Sequence, residues 1–214
     1  LLIISIILFI TLLVILASPW GKKIHYEFMY IREEAVEIAE TIECRSSTRI
    51  TIDYMREKIS IILSVIKPNE EPIFIQINYD TLKVKVPIYA KEVEVIRGSP
   101  LIKKFEEFRR VSVYHNGSWI IVDPKPIVKY RVVSEYGRKC HLIEVTIFRI
   151  EGKLEVGSVL SYAYCRSVSY LRVYDYPGLV EVKFDGQSAL QIMVQPKEIL
   201  RLTIIFEVWK ASTS

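Results

Sequence analysis

The residue types that could carry chemistry are few in this chain and widely spaced. Its three histidines, His25, His115 and His141, stand far apart, and no H-E-x-x-H pair accompanies them, so no zinc-peptidase arrangement is written onto a helix face. Serines occur without a G-x-S-x-G elbow, and glycines occur without a G-x-G-x-x-G or Walker loop to cradle phosphate. Cys140 and His141 are adjacent, which in a strand sends their side chains to opposite faces and prevents them from ligating one metal. All three histidines therefore read as structural. No catalytic residue, no metal and no cofactor is predicted, and the chain is not expected to be an enzyme.

Cys44, Cys140 and Cys165 allow at most one intramolecular disulfide. A bridge from Cys44 to either of the others would tie the N-terminal part to the rest; a Cys140 to Cys165 bridge and a set of free thiols are the alternatives. Asn116-Gly117-Ser118 is an N-glycosylation sequon, and Asn116-Gly117 is also the strongest hairpin signal in the chain. Tyr162, Tyr164, Tyr170, Tyr174 and Tyr176 could form a stacking surface, but tyrosine is a natural strand residue and ordinary sheet packing is the expected role. Lys103-Lys104 and Arg109-Arg110 flank Glu106-Glu107, the mixed charge of a helix surface. A net charge of +4, from 29 basic and 25 acidic residues, leaves no electrostatic footprint for a nucleic-acid partner.

What must position such residues is decided by where the apolar ones fall. Of 214 residues, 50% are hydrophobic and 25% charged, which excludes a polytopic membrane protein and a disordered chain alike. The scarcity of Gln, Asn and Cys beside abundant Lys, Arg, Glu, Ile and Val leans toward a thermophile. The apolar excess is concentrated in Leu1 to Gly21, which hold no charge and whose polar side chains are Ser5, Thr11 and Ser18. At ~1.5 Å per residue this matches the ~30 Å of a bilayer core, with Trp20, Lys22 and Lys23 as interfacial anchors, so a transmembrane helix is expected. A secretory signal would show a basic start and a small-residue cleavage site. The chain opens at Leu1 without Met, and removal of a leader is expected.

From Lys22 to Glu43 the residues are good helix formers with no Gly or Pro, so the helix should continue as a stalk. Ile24, Phe28, Ile31, Ala35, Ile38 and Ile42 follow a heptad seam. The same register runs back through Gly21, Ala17, Val14, Ile10, Ile7 and Ile3. One helix over residues 1–43 is expected, about 65 Å long, with Pro19 bending it without ending it. The seam is suited to assembly between copies, the first half at a bundle axis and the second against a folded head. Glu27, Glu33, Glu34, Glu37, Glu40 and Glu43 read as a solvated face.

After Cys44 the period falls to two. Ile50, Ile52 and Tyr54, then Ile73 to Tyr79, Leu82 to Val86, Val128 to Val132, Ile143 to Ile147, Val180 to Phe184, Leu190 to Val194 and Leu200 to Val208 each alternate. Glu151-Gly152 and Asp185-Gly186 are further turn candidates, and Ser99-Pro100 reads as a helix N-cap with Pro at the first helical position. An all-β antiparallel sandwich head over residues 44–214 is expected, carried by the helix of residues 1–43.

A charge-free N-terminal helix that runs on as a stalk and delivers a β head resembles the archaeal type IV pilin-like proteins, the family of adhesion pilins, archaellins and pseudopilins. The resemblance covers residues 1–43, and the head only in being β-rich, as the immunoglobulin-like heads of that family are. Ser5 stands where bacterial pilins carry a glutamate, which fits archaeal members better. The resemblance implies a leader peptidase, residence in the membrane before assembly, an assembly ATPase with its membrane platform, and a homo-oligomeric helical filament on the cell surface that displays the head for adhesion. The competing reading is a single-pass membrane-anchored binding module, or minor pseudopilin, of the cell envelope that forms no filament.

Overall fold

Ser18 and Pro19 decide where the main helix begins. Ser18 is extended (φ −68°, ψ 155°), its hydroxyl accepts the Gly21 N–H at 3.1 Å, and Pro19 takes the first helical position. A residue before proline is biased away from the helical region, serine is a favoured N-cap, and proline at the first position loses only an N–H that has no helical partner. All three effects start a new helix. Helix α1 therefore runs Pro19–Cys44, and the expected single helix over residues 1–43 is interrupted at Ser18.

The computed structural model describes residues 4–9, 11, 18–66, 71, 73–98, 111–184 and 187–213. Residues 4–9 and 11 are helical, and Ile3, Ile10, Val14 and Ala17 of the expected seam lie outside the described residues. Among those described, no helix is long and apolar enough to cross a membrane.

Helix α1 ends at Arg45, in the left-handed region at φ 52°. The Arg45 and Ser46 N–H groups close the last turn on the Ile42 and Thr41 carbonyls. Glycine is the usual residue here because a Cβ costs ~1–2 kcal/mol in this conformation. Arginine is held by its side chain, which donates to Glu207 Oε1 at 2.8 Å and lies over the Tyr162 ring.

The rest of the described chain is β. The strands are β1 (Ser47–Arg49), β2 (Met55–Ile66), β3 (Ile73–Arg97), β4 (Val111–Pro124), β5 (Ile127–Glu135), β6 (Arg138–Gly152), β7 (Ser158–Val173), β8 (Gly178–Phe184), β9 (Gln187–Val194) and β10 (Ile199–Thr213). They form two five-stranded sheets, ordered β1-β7-β10-β6-β5 and β4-β3-β2-β8-β9. At the centre of the first sheet β10 runs parallel to β6, Ile199 opposite Cys140 through Ala211 opposite Gly152. That pair corrects the expectation of an all-antiparallel, immunoglobulin-like head.

Among the described residues two large hydrophobic cores form, beside a small cluster of Cys140, Leu142 and Ile199. One gathers Ile31, Ala35, Ile38 and Ile42 of α1 with Leu82 and Val84 of β3, Val111 and Ile120 of β4, Phe148 and Ile150 of β6, and Trp209 of β10. The other lies between the sheets, with Ile61, Ile77 and Tyr79 against Ile143, Val145, Ile147, Leu202 and Ile204. In β3 the buried residues change from odd (Ile77, Tyr79) to even (Leu82, Val84), and in β6 from odd (Ile143, Val145, Ile147) to even (Phe148, Ile150). Since side chains alternate along a strand, each strand gives one face to one core and the opposite face to the other. The two strands meet at the switch, where the Asp80 carboxylate accepts the buried Ile150 N–H at 2.7 Å.

Turn chemistry also departs from expectation. Asn116-Gly117 makes no hairpin: both lie inside β4, with Gly117 at φ 60° opposite Ala90 where the β3 to β4 register shifts. A 25-residue partner strand offers pairing along the whole of β4, and the local turn preference yields to it. The tight hairpin sits instead at Tyr136 and Gly137, φ 52° and 73°, a type I′ pattern joining β5 to β6. Residues 50–54 are not in a strand. Ser99-Pro100 and Asp185-Gly186 lie outside the described residues.

Candidate functional site

The sequence stripe proposed for assembly is the first place to look for function. Ile7 is 58% exposed, Gly21 and Ile24 are half-buried, and Phe28, Ile31, Ala35, Ile38 and Ile42 are buried in the chain's own core. The outer half of the stripe thus packs against β3 and β4, as a folded head would require. What stays uncovered is N-terminal to Ser18: Ile4, Ile6, Ile7, Leu8 and Phe9 are each between 49% and 66% exposed. Beyond the break, Trp20 is 79% exposed and is followed by exposed Lys22 and Lys23.

Of the glutamates of α1 read from sequence as a solvated face, Glu27, Glu33, Glu37 and Glu40 are exposed, whereas Glu34 is buried and Glu43 half-buried, and Glu34, Glu37 and Glu43 fasten the helix to the body. Glu34 is buried and accepts the Thr51 N–H at 2.9 Å, the Ile52 N–H at 3.3 Å and the Thr51 hydroxyl. Glu37 accepts from the Thr48 hydroxyl at 2.7 Å. Glu43 takes Arg97 at 2.6 Å and the Val111 N–H at 3.1 Å. Glu34 and Glu37 lie one turn apart and share a helix flank, whereas Glu43, nine residues beyond Glu34, lies on the opposite side of the helix. Charge type suggested water, and the unpaired N–H groups of residues 51 and 52 drew the carboxylate in.

All three cysteines are free thiols. Cys140 is buried beside Leu142 and Ile199, and burial pushes its thiol pKa up. Cys44 at the end of α1 and Cys165 on β7 are exposed, and the Tyr162 hydroxyl donates to the Cys165 sulfur at 3.2 Å. Asn116 is exposed within β4. The tyrosine cluster is divided: Tyr174 is buried, Tyr162 packs edge-on to Trp209, and Tyr164, Tyr170 and Tyr176 are exposed.

One polar constellation was not foreseen. His141, 2% exposed, is held at both ring nitrogens: Nε2 lies 2.8 Å from Glu198 Oε2, and Nδ1 lies 2.8 Å from the Tyr130 hydroxyl. Glu198 also accepts the Gln195 N–H at 2.7 Å and pairs with Lys139 at 3.2 Å. Burial works to raise the Glu198 pKa, but the Gln195 N–H, His141 and Lys139 together hold it below the usual carboxylate value. Burial raises the Tyr130 phenol, so Tyr130 stays a neutral hydrogen-bond donor and is a poor nucleophile. With the Nε2–H donating to Glu198 and the Tyr130 O–H donating to Nδ1, every group is satisfied. The arrangement acts as a clamp joining the β5 to β6 hairpin to the turn before β10. Tyr130 and His141 could be connected from a short hairpin, but Glu198 lies 57 residues from His141.

An open groove of about 320 Å³ runs beside α1, lined by Met29, Arg32, Glu33, Val36, Glu37, Glu40 and Ile96. None of the His141 cluster reaches it. Among the described residues no group of His, Cys, Asp and Glu could hold a metal ion. No protein-family model matches the chain, and no curated protein or solved structure matches it either. The likeness to pilins rests on the sequence pattern of residues 1–43 alone.

Proposed function

We propose that this chain is a non-catalytic structural subunit of a surface filament, assembling through its apolar N-terminal segment and displaying its β body for adhesion. The observation that carries the reading is the bare face of Ile4, Ile6, Ile7, Leu8 and Phe9 in a stretch, Leu1 to Gly21, with no charged side chain. Apolar surface is worth ~25 cal/mol per Å² when removed from water. Folding collects that gain for the stripe of α1 and leaves it uncollected here, which calls for a cover from outside the body. The break at Ser18 supports a division of labour in which α1 serves the body and the segment before it serves assembly. Copies of the same segment supply a cover of matching length and character. A leader peptidase, a membrane platform and an assembly ATPase belong to this reading through the pilin resemblance.

A second reading is favoured by exposed Trp20 with Lys22 and Lys23, the pattern of a membrane interface: a single anchored β module whose copies stay apart. Electron microscopy of detergent-free surface fractions separates the two. Threads of uniform width are expected, and they should vanish in Leu8→Asp while the body keeps its circular dichroism. Isolated particles retained in the membrane fraction would replace the filament reading with the anchored module.

A further inference from the structure

The outer side of β7 is an open sheet edge. β10 lies along one side of β7 from Ser158 to Val173, whereas β1 covers only Val159 to Ser161 on the other. Among the described residues no strand lies beside Ala163 to Val173 on that side. The stretch holds no proline, glycine or acidic residue, and after the register shift opposite Val208/Trp209 its ladder with β10 is uninterrupted from Tyr164 to Val173. Its side chains are exposed save for half-buried Ala163, Val168 and Arg172. Proteins blunt such edges with lysine, proline, bulges or a covering element, because a regular free edge is a template for another strand.

The order of side chains selects the strand that fits. On one face Tyr164, Arg166, Val168, Tyr170 and Arg172 follow one another at alternate positions. An antiparallel copy of β7 related by a two-fold axis at Val168 sets Tyr164 opposite the copy's Arg172 and Arg166 opposite its Tyr170. By symmetry each pairing occurs twice, and guanidinium over phenol is favourable. On the other face the same register sets Cys165 opposite Leu171 and Ser167 opposite Ser169. Moving the axis to Ser169 brings Arg166 onto Arg172, like charge on like; moving it to Ser167 leaves Arg166 against Val168.

We infer that β7 is a self-association edge: two copies of this chain pair antiparallel through Ala163 to Val173 about a two-fold axis at Val168, joining their first sheets into one. The contact is isologous and closes at two copies. It is separate from the N-terminal segment, and it holds whether that segment meets other copies or a lipid bilayer.

The test uses the full-length chain in mild detergent, carrying C44S and C165S, with one new cysteine at a time. Residues directly opposite in an antiparallel pair have Cα atoms ~4.5–5.5 Å apart, within disulfide reach. Val168→Cys should therefore give a covalent dimer under copper phenanthroline and oxygen. Tyr170→Cys should not, because its counterpart lies four residues along the strand, ~13 Å away. In a chain that keeps Cys165 and carries only C44S, Leu171→Cys should cross-link to the Cys165 of the second copy. R166E combined with R172E should abolish the Val168→Cys cross-link with circular dichroism unchanged. Equal cross-linking at 168 and 170 would mean association through the N-terminal segment alone and would overturn the inference. So would no cross-linking at 168 with the thiol open to maleimide.

Discussion

Replacing Ile38 by alanine tests whether the stripe of α1 belongs to the fold of one chain. Ile38 is fully buried among residues of α1, β3, β4 and β10. The substitution deletes three carbons, worth ~0.8 kcal/mol each in transfer from water, or ~2.4 kcal/mol. The cavity left behind adds to this because the surrounding strands relax only in part, which brings the expected loss to about 3–4 kcal/mol. For a chain of this size that is a fall in Tm of about 10 °C. Chemical denaturation in detergent, followed by tryptophan fluorescence, reads the change as a lower midpoint at unchanged slope. Ile7→Ala, at a position 58% exposed, is the control and should leave the body's stability within ~0.5 kcal/mol of the parent. If Ile38 made its main contacts with a neighbouring copy, the loss would shrink on dilution, since association stabilises the parent by mass action only where copies are concentrated. A loss below ~0.5 kcal/mol, or one that tracks protein concentration, would refute the assignment of α1 to the core.

Other outcomes follow from the same geometry. Ser18→Ala removes the N-cap bond to Gly21 and should cost about 1 kcal/mol, with faster amide exchange confined to the first turn of α1. Glu34→Ala strands the N–H groups of Thr51 and Ile52 and should cost about 3 kcal/mol by denaturation. Glu198 is held below the ordinary carboxylate value in the fold, so its contribution is complete above the unfolded carboxylate pKa and fades as pH falls through the folded one. Denaturation between pH 7 and pH 3 should therefore lose more stability in the parent than in Glu198→Gln. Gly152 sits at φ 91° where a Cβ would overlap the Ala211 carbonyl oxygen; Gly152→Ala should lower Tm well beyond Gly137→Ala, whose Cβ meets open space.

How much of this was legible depends on the range of each signal. The 4,3 spacing from Phe28 to Ile42 marks a buried helix face because one turn of helix contains the whole message. The alternation of Val180 to Val182 and Leu200 to Ile204 marks strands for the same reason, and both runs lie in β8 and β10. Alternation does not name a partner, so the parallel match of β10 with β6, residues about 60 positions apart, has no local trace. Ser18-Pro19 carries the cap and first-turn signature that Ser99-Pro100 also carries. The surrounding apolar run outweighed it, although the stereochemistry of the residue before proline does not depend on hydropathy. Asn116-Gly117 shows the converse: a strong turn dipeptide lost to a long facing strand. The Glu198 to His141 contact could be found only once β6 and β10 were known to be neighbours.

The parity switch in β3 and β6 has a consequence for how the body comes apart. In a strand with one buried side, sliding by a residue exchanges inside for outside and is punished once. Here a slip of β3 would drag Ile77 and Tyr79 out of one interior and Leu82 and Val84 out of the other in a single movement. Neither half can loosen its alignment while the other keeps it. Partial melting from one end is thereby disfavoured, and loss of either interior should bring down both together.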